Sequence, residues 1–186
     1  IKILTLENIS TEIIKNRKYL DALFDICFAN SDVFSITYVS DQNKSILLQN
    51  RLKPFILGEI VTTQWFCYRV TKKNQLHISL YRSNKTTRDI MKKYYPGIFC
   101  SDWMGESISW DQNAEDVCFF KNEKLILGTV SHERICLVFP PLDNSSFEKE
   151  IQNILSGWIS GDDLEEEKID LEKYRHLGYY VNNGNC

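Results

Sequence analysis

Residues 117–139 read Val-Cys-Phe-Phe-Lys-Asn-Glu-Lys-Leu-Ile-Leu-Gly-Thr-Val-Ser-His-Glu-Arg-Ile-Cys-Leu-Val-Phe, three apolar runs separated by two short polar breaks. Each run is too short for a buried helix and is rich in β-branched and aromatic residues, so each reads as a strand. The breaks at Asn122-Glu123 and His132-Glu133 read as turns. Strand 117–120 would pair antiparallel with 125–130, and 125–130 with 135–139. Counted from the first turn, this register sets Cys118 opposite Leu127, Asp116 near Thr129 and Ala114 near Ser131. Gly128, alone within a strand, marks a bulge or a close approach of another group. Pro140-Pro141 ends the third strand.

Upstream, Val33–Val39 alternates, with Phe34, Ile36 and Tyr38 on one face and Ser35 and Thr37 on the other. Residues 46–52 and 55–62 read as strands split by Pro54. Trp65–Val70 and Leu76–Tyr81 flank the polar stretch 71–75 and read as a hairpin, with Leu76, Ile78 and Leu80 facing a core and His77 and Ser79 facing away. Ser107–Trp110 reads as a further strand.

Helices bracket these strands. Ser10 is a candidate cap for a helix bearing Ile13, Leu20, Phe24, Cys27 and Phe28 on one face and ending at Asn30-Ser31. Ser83 or Asn84 caps a short helix over 86–95, stopped by Pro96-Gly97. Ser145 and Glu148 have the spacing of a capping box, followed by a stripe of Phe147, Ile151, Ile154, Leu155 and Trp158 up to Ser160. The fold expected is α+β: an antiparallel, meander-rich sheet of about six to eight strands with helices packed on one face. One domain is expected over 1–186, its acidic run 162–167 followed by an aromatic tail that packs back onto it.

Of 186 residues, 43% are hydrophobic and 25% charged, the balance of a folded globular chain. A net charge of −3, with basic residues adjacent only in pairs such as Lys72-Lys73 and Lys92-Lys93, argues against nucleic acid as the partner. No apolar run reaches the length of a membrane span, and no charged start precedes a long apolar stretch, so neither membrane nor signal peptide is expected. Cys27, Cys67, Cys118 and Cys136 lie in apolar runs and, with Cys100 and Cys186, show no metal-ligand spacing. Reduced thiols and a cytoplasmic setting follow.

No nucleophile elbow, P-loop or dinucleotide fingerprint occurs, so no cofactor is expected. Of the three histidines, His77 and His176 read as surface residues. The meander brings one polar constellation together. His132 and Glu133, at a hairpin tip, fall at the same sheet end as Asp111, Glu115 and Asp116. Trp103 and Trp110 flank the loop 104–106, with Asp102 and Glu106 beside them. Two readings of different class stand. In one, Asp102, Trp103, Glu106, Trp110, Asp111, Glu115, Asp116, His132 and Glu133 form an aromatic–acidic edge that binds a basic protein. In the other, His132 works with Asp116, Glu115 or Glu133 in a small hydrolase or metal-dependent enzyme. A third accounting, polar residues at strand ends and nothing more, also fits the pattern. A single histidine is no metal signature, and no metal is expected. In general type the chain resembles the immunity proteins of bacterial toxin systems, which are small, mildly acidic and without catalytic motifs. No signature residue carries that resemblance.

Overall fold

A computed structural model of the chain describes residues 3–6, 17–38, 47–95, 97, 114–131, 133, 135–141, 144, 146–154, 158–161 and 169–177. Its strands are β1 (Ile3–Leu6), β2 (Val33–Tyr38), β3 (Ile56–Thr62), β4 (Gln64–Trp65), β5 (Tyr68–Arg69), β6 (Leu76–Arg82), β7 (Ala114–Lys121), β8 (Lys124–Val130), β9 (Ile135–Val138) and β10 (Trp158–Gly161). The helices are α1 (Arg17–Asn30), α2 (Leu47–Leu52), α3 (Lys85–Tyr94) and α4 (Phe147–Ile154). Eight strands form one sheet in the order β10-β1-β9-β8-β7-β2-β6-β3, with every pairing antiparallel, and β4 and β5 pair separately. The fold is α+β, as the alternation and helical stripes imply.

Both faces of the sheet are covered. On one, Leu20, Phe24, Cys27 and Phe28 of α1 meet Phe34, Phe119, Leu127 and Val138, with Met91 of α3 and Phe147 and Ile151 of α4. On the other, Trp65 and Phe66 join Ile78, Leu80, Cys118, Phe120, Leu125 and Leu137. Ile169 and Leu171 close that side. The Leu125 N–H donates to the Ile169 carbonyl and the Leu171 N–H to that of Glu123. A strand covered on both faces needs apolar residues at every position, hence Val-Cys-Phe-Phe in place of alternation.

Several elements depart from the expectations. Residues 47–52 form a helix, because Leu48 and Leu52, four apart, bury on one side while Leu47 and Arg51 stay exposed. The stretches Trp65–Val70 and Leu76–Tyr81 do not make a hairpin. β4 and β5 turn back on each other within 64–69, and β6 inserts between β2 and β3. Ser79, expected outward, is buried, as are Ser35 and Thr37. β1 was not foreseen. Trp158, expected on the last helix, begins β10 opposite Leu6. Ser10, Ile13, Ser107–Trp110, Ser145 and Leu155 lie outside the described residues.

Local chemistry explains the caps. Asn84 Oδ1 accepts from the Thr87 N–H at 2.9 Å and the Thr87 hydroxyl accepts from the Asn84 N–H at 3.0 Å, a reciprocal N-terminal cap on α3. Asn144 Oδ1 accepts from the N–H groups of Ser146 and Phe147 at the start of α4. The β7–β8 turn places Asn122 and Glu123 at φ 47° and 64°, the left-handed pair of a tight hairpin. Glu123 is costly there, and its carboxylate is held by Arg175.

Gly128 marks a close approach. A methyl group at its Cα would sit 2.7 Å from Phe66 Cε1, and the Phe66 ring is itself buried against Phe139. Gly128→Ala is therefore expected to cost about 1–3 kcal/mol, as overpacking does. Phe66→Leu in the same chain should restore part of that loss. Denaturant unfolding of the single and double variants measures it, and a neutral Gly128→Ala would show that the ring does not sit where it is placed.

Candidate functional site

The sequence constellation centres on the start of β7, and a bulge shapes it. Ser35 faces Cys118 and Thr37 faces Glu115, so Asp116 and Val117 together oppose Ile36. Asp116 takes a φ of 52°, in the left-handed region that most side chains avoid. That turn aims Asp116 at the end of β8. Ser131 N–H donates to Asp116 Oδ1 at 2.7 Å, and Asp116 N–H donates to Ser131 Oγ at 3.1 Å. Thr129 Oγ1 donates to the Val117 carbonyl at 2.9 Å. The last β7–β8 ladder pair is Cys118 with Gly128, and beyond it these side chains hold the strands together.

The surroundings are dry. Asp116 is 1% exposed and Ser131 2%. Tyr95, which follows α3, brings its hydroxyl beside Asp116, Val117 and Ser131 without a hydrogen bond of ordinary geometry. Burial, and then the Asp116 charge, raises the Tyr95 hydroxyl well above its ordinary pKa. Behind Asp116, burial pushes the Cys118 thiol up to about 12, and the Asp116 charge adds to the rise. Such a thiol stays protonated and unreactive at neutral pH. Cys27, Cys67, Cys118 and Cys136 are free thiols.

Among the candidate residues, Asp116, Glu115 and Glu133 are described. Glu115 is half-buried opposite Thr37, and Glu133 is exposed in the turn between β8 and β9. The Asp116–Ser131 clasp brings both glutamates to one end of the sheet. The register differs from the expected one by a residue. Cys118 faces Gly128 and Phe119 faces Leu127, because Ile126 is an extra residue on β8. Asp116 itself is not on the surface. Its carboxylate is buried against a backbone amide, so at this end solvent contact falls to Glu115 and Glu133. Asp102, Trp103, Glu106, Trp110, Asp111 and His132 lie outside the described residues.

Sequence reasoning set Ser131 near Ala114 without giving it a role, and passed over Tyr95. Ser131 follows an apolar strand as any turn serine would, and nothing local to Tyr95 places it beside residue 116. Among the described residues, no group of three or more His, Cys, Asp or Glu side chains could hold a metal ion. None of the described helices is long and apolar enough to cross a membrane. Comparison with known protein families, curated proteins and solved structures finds no match.

Proposed function

We propose that the chain is a non-enzymatic protein-binding domain of the immunity or antitoxin type, acting in the cytoplasm by masking a basic partner protein. The observation that supports this is the clasp between Asp116 and Ser131. It gathers Glu115 and Glu133 at the sheet end where the segment carrying Asp102, Trp103, Glu106, Trp110 and Asp111 leads into β7. Carboxylates beside large aromatics suit a cationic protein surface: the charges speed encounter and the rings supply contact energy.

The test is affinity capture from the native cell with the wild-type chain and with Asp111→Lys/Glu133→Lys. The wild type should retain a basic protein, and the double variant should lose it. At Glu133, which is exposed, the reversal should shift stability by no more than about 0.5 kcal/mol. Added salt should weaken capture, and His132→Ala should change folding little. Equal capture by the wild type and the reversed variant would show that the acidic edge is not the contact.

A further inference from the structure

The helix layer carries charge of the opposite sign, and it is divided. On the α1 side of α3 the cations are spent. Asp25 lies 2.6 Å from Lys92 and 3.4 Å from Arg88, and Arg88 also meets Asp89 at 2.9 Å. The Arg17 guanidinium donates to the carbonyls of Met91, Lys92 and Tyr95 and so caps the end of α3. On the α2 side they are not. Arg51 Cζ lies 5.9 Å and Lys93 Nζ 5.2 Å from the centroid of the Tyr94 ring. Arg51, Lys53 and Lys93 are exposed, and none of them forms an ion pair among the described residues. Leu47, one helical turn before Arg51, is 47% exposed, the most exposed of the large hydrophobic side chains described.

We propose that this surface, formed by Leu47, Arg51, Lys93 and Tyr94, docks an acidic protein segment that carries an apolar anchor. Cations without counter-charges among the described residues call for an anionic partner. Tyr94 holds the Arg51 guanidinium by its face and leaves the N–H edges for carboxylates. The leucine selects among anions. A phosphate backbone has no use for an exposed Leu47, and Tyr94, already faced by two cations, is not an open platform for stacking a base. An acidic segment with a leucine or phenylalanine uses both features. The proposal rests on a different observation from that of the acidic strand ends.

The experiment is fluorescence anisotropy with the full chain and three labelled probes: a short peptide of Asp, Glu and Leu, the same peptide with Lys for the acids, and a single-stranded DNA oligonucleotide. The acidic peptide should bind, and raising salt from about 0.05 M to about 0.3 M should weaken it severalfold. Arg51→Glu/Lys93→Glu should weaken it about tenfold, and Leu47→Ser about threefold. Circular dichroism should be unchanged, since the substituted groups are exposed. Failure of the acidic peptide to bind, or equal binding of the lysine peptide, overturns the proposal. So does tighter binding of the oligonucleotide with no effect of Leu47→Ser, which would make this a nucleic-acid surface.

Discussion

Replacing Phe119 by alanine is expected to lower the free energy of unfolding by about 3–5 kcal/mol. The ring is fully buried at the centre of the helix-side core, with centroids 5.1 Å from Phe28, 5.9 Å from Phe24 and 6.1 Å from Phe34. The loss has two parts, the transfer free energy of a phenyl group and the cavity left behind. The second is large here because rigid rings line the cavity. Phe28 and Phe119 meet edge to face, and Phe34 stacks on Tyr81, so no neighbour can swing in without breaking another contact. Urea unfolding should show a lower midpoint at an unchanged slope. A loss under about 1 kcal/mol would mean that the site collapses, contrary to the packing described.

Asp116→Ala is expected to cost about 2–4 kcal/mol. The carboxylate accepts the Ser131 N–H in a dry setting, and an unmatched buried amide costs about 1–3 kcal/mol. Alanine also tolerates the φ of 52° poorly. Asp116→Asn keeps an acceptor oxygen and a side chain at ease in the left-handed region, so it should lose less than half as much. Exchange of the Ser131 amide, followed by NMR, should quicken in the alanine variant well before global unfolding. If asparagine and alanine cost the same, the clasp is not what stabilises the bulge.

These two residues also show what the sequence discloses. Phe119 lies in an apolar run between polar turns, and both its strand and its burial are legible there. The function of Asp116 is not, since its partner is fifteen positions away and its direction depends on a bulge. The extra residue Ile126 shifts the β7–β8 register, and a count outward from the Asn122-Glu123 turn misses it. Ile46–Leu52 reads as a strand in sequence, with three leucines and an isoleucine in a short stretch, although Leu48 and Leu52 carry the helical spacing. Ser35 and Thr37 alternate as an exposed face would. They are buried because Trp65 and Phe66 fold over that face from a distant ribbon, a cover that no local pattern announces. The basic surface around Tyr94 was hidden in the same way, since Arg51 and Lys93 are far apart in the chain and meet at one ring.

The position of β1 sets a constraint on how this chain can be made. Thr5 pairs with Leu137 on one side and Ile159 on the other. While the polypeptide emerges from the ribosome, β2, β3 and β6 can assemble among themselves. The segment bearing β1 must wait for partners translated much later, with its backbone amides and carbonyls unmatched in the interval. Closing so long a loop is slow, and an idle strand is open to pairing with the wrong neighbour. Synthesis that stops short of β9 leaves β1 without either partner, so nascent chains of this protein pass through a window in which β1 is made but unpaired.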